Sequence, residues 1–159
     1  MSTLEQMYQQ VILDHAKRPV GRGLVDLAST DHGHLAGESH QVNPTCGDEV
    51  TLRVDVTPDG EVAGVSWEGQ GCSISQASVS VMTSLVEGAP LTEVARLDRL
   101  FHDLMSSRGK GLDDDAEDAL GDATAFTGVS QYPARIKCAL LGWAALKDSL
   151  ARSGALATS

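Results

Sequence analysis

Along residues 50–57 the chain alternates strictly. Val50, Leu52, Val54 and Val56 are apolar, and Thr51, Arg53, Asp55 and Thr57 are polar. Only an extended strand places every second side chain on one face, so this segment must lay that face on a core. The turn Pro58-Asp59-Gly60 follows, and Val62, Val65 and Trp67 resume an apolar strand, which makes the pair a hairpin. Glu38 to Val42 reads as a weaker preceding strand, within a two-residue period that opens at Gly37. Three antiparallel strands are therefore expected.

Outside this block the period is helical. Leu4, Met7, Tyr8, Val11 and Ile12 give an amphipathic helix from Ser2 to Lys17, with Ser2 and Glu5 in a capping-box pattern. Pro19, Gly21 and Gly23 stop it, and residues 19–36 read as an ordered loop. After Cys72 the pattern stays helical. Ile74, Ala77, Val81 and Leu85 mark a helix from Ser73 to Val86, ended by Gly88 and Pro90. Leu91, Val94, Leu97, Phe101, Leu104 and Met105 mark a second, with Thr92 as its cap. Residues 107–130 are acidic and Gly-containing, with a short helix expected over Asp113 to Ala125. Ile136, Leu140, Trp143, Leu146 and Leu150 mark the last helix, Pro133 to Arg152, where Lys147 must snorkel past the stripe. Strands followed by helices predict an α+β fold, a three-stranded antiparallel sheet packed against a group of helices. A chain of 159 residues fits one domain, here residues 1–153, with 154–159 as a disordered tail.

Twelve basic residues against 22 acidic ones leave a net charge of −10, and no Lys/Arg cluster offsets it. Such a surface repels phosphate backbones, so nucleic acid is not an expected partner. The longest apolar stretch, Cys138 to Leu146, is far too short to span a bilayer. The N-terminus shows no basic segment followed by an apolar one, and the cysteine count is odd, so neither a secretory signal nor a disulfide framework is read. These features together point to a reducing cytoplasm, where thiols stay available for metal or sulfur chemistry.

Three cysteines carry that chemistry. Cys46 lies in Asn43-Pro44-Thr45-Cys46-Gly47-Asp48, and the two-residue spacing puts thiol and carboxylate on one side of an extended segment. Cys72 closes Gly69-Gln70-Gly71-Cys72 at a helix start, where amide N–H groups and the helix dipole favour a thiolate. Cys138 lies in Arg135-Ile136-Lys137-Cys138; Arg135, at i−3, shares its face, whereas Lys137 is turned away by about 100°. Three thiols and a carboxylate match the four ligands of a tetrahedral zinc ion. Read singly, each residue has a plainer role: a buried Cys as a small hydrophobe, Asp48 as a turn residue, Arg135 and Lys137 as exposed helix residues. His15, His32, His34, His40 and His102 are alternative ligands read as surface residues, and Asp113-Asp114-Asp115 with Glu117 and Asp118 as a solvated helix start. The intervals of 26 and 66 residues exclude paired CxxC zinc motifs. Spacing alone names no reaction.

Taken in order, Asn43-Pro44-Thr45-Cys46-Gly47-Asp48, Gly71-Cys72-Ser73-Ile74-Ser75 and Arg135-Ile136-Lys137-Cys138 resemble the three motifs of the IscU/SufU family of iron–sulfur cluster assembly proteins. The likeness runs from the first helix to about residue 150. The scaffold branch has a His before its third Cys; Lys137 stands there, and the stretch around residues 107–128 is additional. Both features are those of the SufU branch. The resemblance implies an IscU/NifU N-terminal-like fold and a zinc-dependent sulfurtransferase. Zinc would be held by Cys46, Asp48, Cys72 and Cys138. A SufS-type cysteine desulfurase would dock, Cys46 would accept its persulfide sulfur, and Arg135 would steady Asp48 or the transient anionic sulfur. Sulfur would then pass toward a SufB-type scaffold complex. Two other readings remain open at this point: a scaffold for a [2Fe–2S] cluster on the same ligands, and a zinc-stabilised adaptor that activates the desulfurase by binding alone.

Overall fold

The computed structural model describes residues 3–25 and 33–155. Their order is α1 (Thr3–Lys17), β1 (Leu35–Asn43), β2 (Asp48–Val56), β3 (Val62–Gln70), α2 (Ser73–Val86), α3 (Leu91–Met105), α4 (Asp114–Leu120), a 3₁₀ segment (Gly121–Gln131) and α5 (Pro133–Ser153). The strands form one antiparallel sheet in the order β1-β2-β3. The α+β reading therefore holds, and Val50, Leu52, Val54 and Val56 all point into the core from the central strand. β1 begins at Leu35, earlier than the expected Glu38, because pairing with β2 runs unbroken from Leu35↔Val56 to Asn43↔Asp48. A bulge at Asp55/Val56 shifts the register between β2 and β3.

Of the expected loop over residues 19–36, the part over 26–32 lies outside the described residues. The part before it runs beside β3. Trp67 N–H donates to the Gly21 carbonyl at 3.0 Å, Gly23 N–H donates to the Trp67 carbonyl at 2.7 Å, and the Trp67 indole donates to the Val20 carbonyl at 2.8 Å. Backbone groups on the β3 edge are thereby paired at Trp67.

α2 is buried along nearly its whole length, which its small residues permit. Ser75, Ala77, Ser78, Val79, Ser80, Val81, Met82 and Thr83 are all enclosed. Their hydroxyls find partners: Ser78 Oγ donates to the Ala139 carbonyl at 2.6 Å and Thr83 Oγ1 to the Val79 carbonyl at 2.8 Å. α5 packs on the sheet as well as on the helices, with Ser149 Oγ donating to the Leu52 carbonyl at 3.2 Å. At the core, Phe101 stacks on Trp143 with ring centroids 4.9 Å apart and meets Phe126 edge-on at 5.9 Å.

Three expectations are corrected. The apolar face assigned to the first helix is only partly covered: Tyr8, Val11 and Ile12 are half-buried, whereas Leu4 and Met7 are exposed. That helix is held by Ile12 and Ala16, which pack against the core, and by His15, whose Nδ1 lies 2.7 Å from Ser80 Oγ on α2 and whose Nε2 lies 3.2 Å from Asp122 Oδ2. The proposed Ser2 cap lies outside the described residues. Thr92 does not cap α3, because Pro90 holds the N-cap position and Leu91 begins the helix. The acidic segment is more ordered than its composition suggests, α4 giving way at Gly121 to the 3₁₀ segment, with Ala123 and Phe126 fully buried. α5 ends at Gly154 in the left-handed region, and Ala155 packs on the core; residues 156–159 lie outside the described residues. No helix among the described residues is long and apolar enough to cross a membrane.

Candidate metal centre

The β1–β2 hairpin carries Cys46 in its loop, residues 44–47. Asn43, the last residue of β1, holds that loop closed. Its carbonyl accepts from Cys46 N–H at 3.3 Å and Gly47 N–H at 2.9 Å, and its side-chain Oδ1 accepts from Thr45 N–H at 3.3 Å. Gly47 sits at φ +73°, a turn that a side chain would strain. The first residue of β2, directly opposite Asn43, is Asp48. Thiol and carboxylate thus leave the same end of one hairpin, as the two-residue spacing predicts.

Asp48 is fully buried. Its Oδ1 accepts from the Cys72 backbone N–H at 3.0 Å, while Oδ2 has no hydrogen-bond partner among the described residues. A buried carboxylate with an unmatched oxygen is costly unless a cation or a donor faces it. Cys138 faces it. The thiol lies on the second turn of α5, is only 3% exposed, and sits 3.5 Å from the Cys46 sulfur. Burial, then the neighbouring Asp48 carboxylate and Cys46 sulfur, push the Cys138 thiol far above its ordinary value, so it is protonated at neutral pH without a cation. The Cys46 and Cys138 sulfurs and an Asp48 oxygen all lie within 4.8 Å of one another. Two sulfurs and a carboxylate oxygen at that spacing suit a thiophilic divalent ion, which would relieve both the orphaned oxygen and the repulsion between ionised thiols.

Cys72 is the N-cap of α2, as its position before the helix implies. Its amide reaches Asp48, but its exposed sulfur lies outside the 4.8 Å group. Gly71 makes the close approach possible: at φ +153° it passes so near that a Cβ would meet the Asp48 carboxylate and, at 2.6 Å, Ser75 Oγ. Arg135 is exposed and makes no bond to Asp48, since neither Asp48 oxygen has a guanidinium partner. Its side chain instead lines a groove of 640 Å³ with Tyr8, Ile12, Ile74, Val129 and Tyr132. Lys137 is exposed. Among the described residues no histidine joins the sulfur cluster. His34 pairs with Asp55 at 2.9 Å, His40 with Glu49 at 3.3 Å and His102 with Asp98 at 3.5 Å; His32 lies outside the described residues. Asp113 caps α4 by accepting from Ala116 N–H at 2.8 Å, so the acidic run opens a helix.

Asn43 was not assigned a part by the sequence reading, although it stands in the first motif. An Asn before Pro reads as a turn residue, and only the folded chain shows its side chain facing the sulfurs.

Comparison with known proteins agrees with this geometry. The chain is 39% identical over 153 residues to the zinc-dependent sulfurtransferase SufU of Bacillus subtilis (strain 168), covering 95% of this chain and 94% of the relative. It is 37% identical over 155 residues to the iron–sulfur cluster assembly scaffold protein IscU of Streptococcus pyogenes serotype M1, covering 96% and 88%. Among solved structures, a candidate iron–sulfur cluster assembly scaffold for the SUF system from Fervidobacterium islandicum AW-1 superposes with a TM-score of 0.69 at 33% identity, covering 92% of this chain and 98% of that one. The pattern of the NifU-like N terminal domain matches residues 7–139. With three motifs, fold and donor cluster in agreement, the chain belongs to the NifU-like N terminal domain family, alongside these SufU- and IscU-named relatives.

Proposed function

We propose that this protein, acting as one domain over residues 1–153, is a zinc-dependent sulfurtransferase of iron–sulfur cluster assembly that takes persulfide sulfur from a SufS-type cysteine desulfurase. The observation that carries the reading is the graded exposure of one donor cluster: Cys46 exposed, Cys138 and Asp48 buried, and all three within 4.8 Å. Cys46, Asp48 and Cys138 would hold the zinc, and Cys72 would complete the set by turning its sulfur inward about one staggered torsion. Bound zinc would keep the sulfurs deprotonated at neutral pH.

Cys46 is the acceptor: Cys72, also exposed, lies outside the 4.8 Å group, and of the two thiols within it Cys46 is the exposed one. Its free thiolate attacks the outer sulfur of the desulfurase persulfide, forming a Cys46 S–S bond. The original S–S bond breaks, and its electron pair leaves on the desulfurase thiolate, so the exchange involves no net oxidation. Asp48 and Cys138, held from below, stay in place while Cys46 moves with its loop. Arg135, exposed and three residues before Cys138, would meet the anionic sulfur or the partner at the rim of the groove. Sulfur then passes toward a SufB-type scaffold complex.

The relative named as a scaffold supports a second reading, in which the same ligands carry a [2Fe–2S] cluster. The exposed Lys137, in the position where the scaffold branch carries a histidine, weighs against it. The test mixes purified protein with a SufS-type desulfurase and free cysteine, then measures zinc content and the mass of the Cys46 peptide. One zinc per chain and a one-sulfur increment on Cys46 are expected. A Cys46→Ala variant that accelerated the desulfurase as well as wild type would refute the acceptor role, and a brown protein delivering an intact cluster would establish the scaffold instead.

A further inference from the structure

We infer that Asn43 is a positioning residue for the sulfur cluster, through an N–H aimed at the Cys138 sulfur; this rests on the metal-binding reading above. The orientation of the carboxamide follows from its neighbours. The Thr45 backbone N–H can only donate, and it lies 3.3 Å from Oδ1, so the oxygen end is fixed toward the loop. The amino end is thereby turned inward, where Nδ2 lies 4.0 Å from Cys138 Sγ. Asn43 is buried, 7% exposed, which limits competition from bulk water for that donor.

One residue thus acts on both sulfurs. Through its carbonyl it sets the Cys46 amide, and through its side chain it offers Cys138 a donor opposite the Asp48 carboxylate. A donor at that sulfur restrains where a metal ligand can sit, as groups around ligands generally do. Groups bonded to metal ligands in this way typically carry a factor of about 10–100 in metal affinity. Asn43 and Cys138 are 95 positions apart, so only the folded chain makes this pair.

Two substitutions separate the donor from the turn. Asn43→Asp keeps an acceptor for Thr45 N–H but replaces the amino group with an oxygen. Asn43→Ser also keeps a turn acceptor and is too short to reach Cys138. Zinc-loaded wild type and both variants are mixed with a chromophoric chelator, and the rate of zinc release is read beside the unfolding temperature. The sulfur-to-metal charge-transfer band of each cobalt-substituted protein is also recorded. Release at least about tenfold faster in both variants, with a shifted band and a nearly unchanged metal-free unfolding temperature, is the expected result. Variants that release zinc at the wild-type rate with an unshifted band would overturn the role of Asn43. So would a loss of metal-free stability in both variants that fully accounts for faster release, which would make Asn43 a turn residue only. A wild-type protein that took up no zinc would instead overturn the metal-binding reading itself.

Discussion

Asp48 is the residue on which the centre balances. Its carboxylate is sealed from water, one oxygen is met by the Cys72 amide, and the other is left for whatever sits between the sulfurs. Gly71 gives it room, so the closest steric test is Gly71→Ala. The added methyl would run into the Asp48 carboxylate and Ser75 Oγ and would strain the backbone at φ +153°. A loss of about 1–3 kcal/mol is expected by denaturant titration, together with less than one zinc bound per chain. A variant with wild-type stability and full zinc content would show that the loop yields freely. At this scale the sequence is legible in part. A hairpin end and a helix can be read locally, but that Cys46, Asp48 and Cys138 meet is implied only by the family resemblance, and the fold brings the three within 4.8 Å. The outward sulfur of Cys72, the inward amide of Asn43 and the placement of Arg135 along a groove depend on rotamers that only the packed chain sets.

Between elements, α5 is tied to β1 at Asp148. Asp148 accepts from Ser39 Oγ at 2.6 Å and from Arg152 Nε at 2.8 Å, with Gln41 Nε2 at 3.4 Å. The Ser39 hydroxyl, then Arg152, hold the Asp148 carboxyl below the ordinary carboxylate value. The folded chain therefore binds fewer protons there than the unfolded one. The contribution is complete above the unfolded value of about 3.9 and is lost as pH falls through the lower native value. Wild type should accordingly lose urea resistance more steeply below about pH 4 than Asp148→Asn does; equal acid limbs would mean that the tie adds nothing. The elements themselves were legible where the period was strict, as in Val50–Val56 and in the α3 stripe from Val94 to Met105. The 3₁₀ segment was not, because no apolar period marks it. It is held by hydroxyls that bond back to the chain, Thr124 to Glu117, Thr127 to Thr124 and Ser130 to Thr127, around a buried Phe126. The first helix shows the opposite failure: its period promised a covered face, yet His15 supplies a polar anchor that no periodicity reveals.

Across the whole molecule, the donor cluster joins parts of the chain that are far apart in sequence, a hairpin end and a late helix, with the helix start at Cys72 bonded to it through its amide. On the zinc reading proposed above, the bound ion would add stability by mass action, about 2.7 kcal/mol at a hundredfold excess over its dissociation constant. Chelation should therefore lower the unfolding temperature, and readdition should restore it. Since Cys138 is a thiol in the metal-free chain, uptake must expel its proton, and affinity should rise by about tenfold per pH unit for each proton released. A pH-stat measurement showing no proton release on zinc addition would contradict Cys138 as a ligand. The gradient from exposed Cys46 to sealed Asp48 also gives the centre a front and a back. On the proposed reading, bulky electrophiles, soft foreign ions and an incoming sulfur atom would all arrive at the same doorway, so traffic through the centre would be one-sided, with Cys46 at once its gate and a vulnerable point.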